Sequence, residues 1–263
     1  MTESSTYLDR IVARHREMAA NDQRHLDDLV ARCDSMAPTR GFRRRLQDDA
    51  VAGMCVISEI KRRSPSKGDL QADLDPSSLA QRYRDGGASC LSVLTDEEFF
   101  GGSIGDLQVA AAASGLPVLR KDFTVSEFDV VDARLMGADC VLLIAAALSD
   151  DELKRFHQLA RQVGLDVLVE IHDETELERA LNVGADLIGV NQRDLVTFRV
   201  DHERALRMGS VMPESVVRVA ESGVRGPDDA RSLRAAGYQA VLVGESLVTS
   251  VDPQSAVHAL RHA

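Results

Sequence analysis

The sequence predicts an α/β protein, a closed (β/α)8 barrel preceded by a helical N-terminal extension, and three observations lead there. Eight short apolar runs recur from Cys55 onward, spaced 20 to 35 residues apart. Each is nearly continuously hydrophobic instead of alternating, as parallel strands covered on both faces should be. Between the runs lie segments of helical periodicity, so the unit is βα, and eight such units within residues 51–263 is the count that closes a barrel. An open doubly wound sheet is the competitor. It would usually carry a Gly-rich turn after its first strand, whereas here that turn is Lys61-Arg-Arg-Ser-Pro-Ser-Lys-Gly68.

Residues 1–50 lie outside the repeat. Tyr7, Leu8, Ile11 and Val12, then Leu26, Leu29 and Val30, predict one or two amphipathic helices that pack on the barrel as a lid or plug. Arg40-Gly-Phe-Arg-Arg-Arg45 reads first as a solvated basic linker into the barrel, with an anion or substrate contact as the lesser reading. The strand runs follow as Cys55–Ile60, Cys90–Leu94, Pro117–Leu119, Cys140–Ile144, Val167–Val169, Leu187–Val190, Val216–Ala220 and Ala240–Val243. Helix starts are signalled by Asp75-Pro76 and Gly226-Pro227, which place Pro at the first helical position, and by the capping box Ser149-Asp-Asp-Glu152. Gly137, Gly164, Gly184 and Gly237 each stand where a helix ends in a left-handed residue before the next strand.

Composition removes several function classes. The 263 residues carry a formal charge of −11 and no Trp. With a pI near 5.1 there is little of the clustered basic charge that sequence-independent nucleic-acid binding needs. The longest apolar run, Cys140–Leu148, falls well short of the roughly 20 residues of a membrane helix. No basic region followed by an apolar stretch opens the chain, so a cytoplasmic protein is expected. Cys33, Cys55, Cys90 and Cys140 lack C-x-x-C spacing and read as buried thiols in a reducing compartment. The seven His show no ligand spacing, so no metal site is expected.

In such a barrel, chemistry gathers where the strands end. Glu59 and Lys61 follow the first run, Thr95 and Asp96 the second, Arg120, Lys121 and Asp122 the third, and Glu170 the fifth. Asn191 and Arg193 follow the sixth, Glu221, Ser222 and Gly223 the seventh, and Gly244 and Glu245 the eighth. Singly, Glu59 with Lys61 is equally a structural ion pair, and Lys121 with Asp122 a solvated rim. Converging on one mouth, these groups point to general acid–base chemistry on an anionic substrate. The small residues after the last two strands suit a phosphate held by backbone N–H groups, with simple tight turns as the bland reading.

Several stretches together carry a resemblance. They are Glu59-Ile-Lys61-Arg-Arg-Ser64-Pro65-Ser66-Lys67-Gly68, Leu91-Ser-Val-Leu-Thr-Asp96, Leu119-Arg-Lys121-Asp-Phe123, Val169-Glu170-Ile-His172, Gly189-Val-Asn191-Gln-Arg193, Ala220-Glu221-Ser-Gly223 and Val243-Gly-Glu245. In this order over residues 50–250 they resemble the indole-3-glycerol phosphate synthase family. The resemblance implies a cytoplasmic carboxy-lyase of tryptophan biosynthesis. It would close the ring of 1-(2-carboxyphenylamino)-1-deoxyribulose 5-phosphate, release CO2 and then water, and form indole-3-glycerol phosphate. It implies Lys121 as general acid, Lys61 as a second essential lysine, and Glu170 as general base. Glu59 and Asn191 would orient the lysines and the reacting hydroxyl. Arg193 and Glu221 would bind the sugar or tune charge, and Phe123 and Leu142 would contact the anthranilate ring. Ser66 would touch substrate from the first loop, and Ser222, Gly223, Gly244 and Glu245 would hold the phosphate.

Departures are small: Arg63 stands where a small residue is common, Gln192 where Asn is frequent, and Phe128 where Tyr is frequent. The chemistry implied needs no cofactor, since the protonated ketone is its own electron sink. A monomer acting on a small phosphosugar is expected, without a fused second barrel. Another phosphosugar barrel enzyme, such as an isomerase or a Schiff-base aldolase using Lys121, remains the competing enzymatic reading. A degenerate barrel that only binds phosphate compounds is the non-enzymatic one.

Overall fold

A computed structural model describes residues 6–64, 67–194 and 196–263. Its centre is a closed, all-parallel, eight-stranded TIM barrel. The strands are β1 (Cys55–Ile60), β2 (Cys90–Leu94), β3 (Val118–Lys121), β4 (Cys140–Ile144), β5 (Asp166–Ile171), β6 (Leu187–Asn191), β7 (Val217–Glu221) and β8 (Ala240–Val243). They follow one another around the wall in chain order, and β1 closes on β8 with Cys55 opposite Ala240.

Four strands run past the end of their apolar runs. β3 reaches Lys121, β5 Ile171, β6 Asn191 and β7 Glu221, and the ladder continues through pairs such as Leu94 with Lys121 and Asn191 with Glu221. Hydrophobicity stops earlier because side chains there face a polar mouth, while the backbone stays paired.

Period-2 alternation sorts each strand's residues into an outer and an inner set. Val56, Val141, Val169, Ile188 and Val241 belong to the cluster shared with the surrounding helices, whereas Ile57, Leu119, Leu142, Leu168, Val219 and Leu242 fill the barrel interior. Two residues beyond Ile57, Leu119, Leu168 and Val219 along their strands come Glu59, Lys121, Glu170 and Glu221. The interior is therefore apolar for two layers and ionisable in the third. That registry builds the site.

The N-terminal segment holds three helices, α1 (Tyr7–Ala20), α2 (Leu26–Asp34) and α3 (Phe42–Asp49). Thr6 and Asp9 form a capping box at the start of α1. α2 lies on α7 (Glu127–Leu135). The basic stretch Arg40–Arg45 is not a solvated linker. It leads into α3, whose Phe42 and Leu46 are fully buried in the barrel-interior cluster beside Cys55, Cys90 and Cys140. The Cys90 thiol donates to Phe42 O and that of Cys55 to Leu46 O. The arginines bind acidic residues at that end, Arg40 to Asp139 at 2.8 Å and Arg43 to Asp186 at 3.2 Å. A short charged segment hid two apolar residues that seal the barrel.

The remaining helices start and stop where their signals lie. Asp75 caps α4 (Pro76–Asp85), Ser149 and Glu152 form the box of α8 (Asp150–Gln162), and Pro227 opens α11 (Pro227–Ala235). Gly137, Gly164, Gly184 and Gly237 all have positive φ just beyond helix ends. The other helices are α5 (Glu97–Phe100), α6 (Ile104–Ser114), α9 (Glu174–Asn182), α10 (His202–Val211), α12 (Glu245–Val248) and α13 (Pro253–Arg261). Among the described residues no helix is long and apolar enough to cross a membrane.

Candidate active site

A cavity of about 630 Å³ opens at the C-terminal end of the strands, with Ile144 and Leu242 among its apolar lining. It brings together Glu59, Lys61, Lys121, Glu170, Asn191 and Arg193, and with them Glu221, Ser222, Gly223, Gly244 and Glu245. Of the predicted site residues, Leu142 does not reach it, and Ser66 lies outside the described residues.

Two ion pairs organise the floor. Lys61 Nζ lies 2.5 Å from Glu59 Oε1, and Lys121 Nζ lies 3.6 Å from Glu170 Oε2. Asn191 Nδ2 donates to Glu170 Oε1 at 3.0 Å, while Asn191 Oδ1 accepts the Arg193 backbone N–H at 3.0 Å. The amide of Asn191 is thereby oriented, and it orients Glu170, not a lysine. Burial works against the Lys121 ammonium, but Glu170, Glu221 and Glu59 outweigh it and raise its pKa.

Glu221 is almost fully buried. Its carboxyl is pushed well above the usual range, first by burial and then by the Glu170 carboxylate beside it, with Lys121 opposing. Burial also disfavours charge on Glu170, yet Lys121, His172 and Asn191 prevail and lower its pKa. Three carboxyls thus face two lysines, and burial beside Glu170 favours the neutral form of Glu221. Gly189 makes this packing possible. A Cβ there would come 1.9 Å from Glu221 Oε1, a close-approach signal that a lone Gly inside an apolar run carried unnoticed.

At the far side, Ser222 and Gly223 take successive positive φ values of 65° and 72°, a concave backbone suited to an anion. For Ser222 this conformation is strained. A side chain at Gly223 would collide with Val200, whose Cγ1 would lie 2.4 Å from the new Cβ. Ser246 Oγ donates to Val224 O at 3.1 Å and ties the loops after β7 and β8 together. Gln192 Nε2 donates to Ser222 O at 2.8 Å, so the Gln departure still supports this turn. Gly244 backs onto the Glu59 carboxyl, and Glu245 points its own carboxylate toward Lys67, 3.6 Å from Nζ.

The third side is aromatic and comes partly from the extension. Phe123 and Phe100 pack at 6.2 Å, and Tyr7, Leu8 and Ile11 of α1 line the same cavity with Phe198. Leu142 sits one layer lower, buried in the barrel interior, and Ile144 takes its place at the lining. The sequence pattern sets Tyr7 and Ile11 on one helix face, which by itself does not assign them to the site. Phe100 and Phe198 carried no signal of their own. α1 is held there by His15, whose Nε2 lies 2.9 Å from Asp96 Oδ2 and 3.8 Å from Asp122 Oδ1. These three could chelate a cation by distance alone. Asp96 also caps α5, and Asp122 also accepts from Arg120 and Thr95, so the group reads as a clasp.

Residues 8–260 match the family described as indole-3-glycerol phosphate synthase. The chain belongs to the indole-3-glycerol phosphate synthase family. A relative of that name from Nocardioides sp. is 49% identical over 252 residues, covering 95% of this chain and 96% of the relative. One from Acinetobacter baumannii is 45% identical over 259 residues, covering 97% of this chain and 96% of the relative. Among solved structures, a thiamine phosphate pyrophosphorylase from Pyrococcus furiosus superposes with a TM-score of 0.59 at 16% identity, covering 80% of this chain and 95% of that one. That likeness speaks for the barrel alone. As in the indole-3-glycerol phosphate synthase motifs read from the sequence, every ionisable residue of the floor belongs to a strand or the step just after it.

Proposed function

We propose that the chain catalyses the indole-3-glycerol phosphate synthase reaction on 1-(2-carboxyphenylamino)-1-deoxyribulose 5-phosphate, as a carboxy-lyase of tryptophan biosynthesis. The observation that carries this reading is the Lys121–Glu170 pair, a cation and a carboxylate 3.6 Å apart on the floor of a cavity with an aromatic side and a concave backbone turn.

In this reading the phosphate lies on the backbone N–H groups around Ser222, Gly223, Gly244 and Glu245. Glu245 contributes its main chain while its carboxylate stays with Lys67. The anthranilate ring lies against Phe123, Phe100 and Ile11. Lys121 protonates the ketone oxygen as the ring carbon bearing the carboxylate attacks, which stabilises charge developing on that oxygen. Loss of CO2 returns the electron pair to the ring. Lys61, held by Glu59, binds the carboxylate and then protonates the departing hydroxyl. Glu170, held by Asn191, removes the proton that restores aromaticity. Arg193 and Glu221 border the sugar. The protonated ketone and ring nitrogen supply the electron sink, so no organic cofactor or metal enters these steps.

A Schiff-base aldolase would need Lys121 as a free amine. Its carboxylate neighbours hold it as an ammonium, which suits an acid and opposes a nucleophile. Residues 1–50 act as an extension whose first helix completes the cavity over the barrel of residues 51–263. The protein works as a monomer in the cytoplasm, on a small molecule and not on nucleic acid or membrane.

Following indole fluorescence after adding the carboxyphenylamino substrate tests the proposal. The wild type should form product, and Lys121→Ala should not at a comparable rate. Absence of product from the folded wild type, or a borohydride-stable Lys121 adduct, would sink it.

A further inference from the structure

Behind Glu170 stands a buried ionisable group that the steps above do not use. His172 follows β5, and its side chain is only 12% exposed. Its Nδ1 lies 3.0 Å from Glu176 Oε2, and its backbone N–H donates to the same oxygen at 2.7 Å. A carboxylate only accepts, so Nδ1 carries a proton. Glu176 is itself set by the first turn of α9, where its backbone N–H donates to the cap Asp173 at 2.8 Å.

The other ring nitrogen faces the site. His172 Nε2 lies 3.7 Å from Glu170 Oε1, and among the described residues it has no hydrogen-bond partner. With Nδ1 protonated, a neutral ring would aim the Nε2 lone pair at a carboxylate oxygen. The imidazolium instead aims an N–H at it, in a place little reached by water. Two carboxylates, Glu176 on α9 and Glu170 on β5, favour that cation, and Arg204 on α10 opposes it. The balance, with burial the largest opposing influence, raises the pKa of His172.

Resting on Glu170 as the base, we propose that His172, braced by Glu176, is a positioning residue that keeps Glu170 the proton acceptor of the facing Glu170–Glu221 carboxyl pair. Glu170 accepts a hydrogen bond from Asn191 at Oε1 and has the cations of Lys121 and His172 at 3.6 and 3.7 Å, whereas among the described residues Glu221 forms no ion pair; Glu170 Oε2 and Glu221 Oε1 both lack a hydrogen-bond partner there. His172 adds its charge to Glu170 from outside the cavity, where it cannot obstruct substrate. It thereby biases one proton shared by two buried carboxyls onto Glu221.

The test compares kcat against pH for wild type, His172→Gln, Glu176→Gln and Glu170→Gln, with thermal melts to verify folding. Removing the imidazolium takes a cation away from Glu170, so its pKa rises and the acidic limb of kcat moves to higher pH. His172→Gln should shift that limb up by about one pH unit. Below the wild-type midpoint of that limb, kcat should then fall about tenfold, with KM changed less than about twofold. Glu176→Gln leaves the ring in place and should shift the limb the same way by less. It carries the test if His172→Gln does not fold. Limbs superimposing on wild type in the folded variants overturn the inference. If Glu170→Gln retains turnover, the underlying assignment of Glu170 as base fails instead.

Discussion

Lys121 Nζ and Glu170 Oε2 meet at 3.6 Å although their strands are not neighbours, since β4 lies between β3 and β5. The contact spans the interior above the last apolar layer and puts opposite charges where general acid and base would stand. Lys121→Ala should lower kcat by about 100- to 10,000-fold, the range of one positioned proton donor. Because Lys121 is held above its ordinary lysine value, it should contribute no basic limb to kcat below about pH 10. Stopped-time product fluorescence across pH measures both, and a variant within twofold of wild type contradicts the assignment. The chain has no Trp, so the indole signal is free of protein background from that residue.

Gly189→Ala probes the space that Glu221 occupies. The added Cβ would sit 1.9 Å from Glu221 Oε1 and 3.3 Å from Leu168 Cδ1. It should displace the Glu221 carboxyl, costing about 1–3 kcal/mol of stability and a larger share of activity. Denaturant titration of Gly189→Ala in the wild type and in Glu221→Ala measures the coupling. The substitution should be nearly free in the second background, and equal costs in both would show that Glu221 is not what it meets.

Gly223→Ala should act on the phosphate end. It combines a disfavoured positive φ with a collision against Val200. KM should rise at least tenfold while kcat changes less, and competitive inhibition by inorganic phosphate should weaken in parallel. An unchanged phosphate inhibition constant would place the anion elsewhere.

The His15 clasp makes the seating of α1 pH-dependent. Burial depresses the imidazole pKa, but Asp96 and Asp122 outweigh it and the net direction is upward. A raised folded pKa means the stabilisation is fully present below about pH 6.5, the unfolded value, and is lost as pH rises through the folded value. Hydrogen exchange in α1, corrected for the intrinsic rate, should therefore accelerate over that window. His15→Ala should remove the pH dependence, and a variant that keeps it would locate the titrating group elsewhere.

Phe42→Ala empties the plug at the opposite end. For a fully buried Phe the cost is about 3–5 kcal/mol, read as a lowered denaturation midpoint. Activity well below the melting transition should stay close to wild type, because two apolar layers separate Phe42 from Lys121. A loss of activity without a loss of stability would contradict the layering.

Local chemistry made much of this legible before any fold was known. Ser149 with Glu152, Asp75 with Pro76 and the Gly residues after helices act within a few residues, so their signals survive in one dimension. Continuous apolar runs marked all eight barrel strands, since a strand covered on both faces needs hydrophobic residues on both. Strand ends were less legible, because backbone pairing of Lys121 and Glu221 is set by the neighbouring strand. The basic stretch before β1 misled because its two apolar residues matter only once the barrel offers an open end.

The residue types of the site and their strands could be read along the chain, because period-2 alternation sends Glu59, Lys121, Glu170 and Glu221 inward. What they touch could not be. That Lys121 meets Glu170 across a strand, that Leu142 lies one layer too deep, and that His15 and Tyr7 complete the mouth depend on shear and helix placement. So does the position of His172 behind the base. These are contacts between distant segments, and only closure of the barrel brings their charges within a few ångströms, where burial and ion pairing act on them.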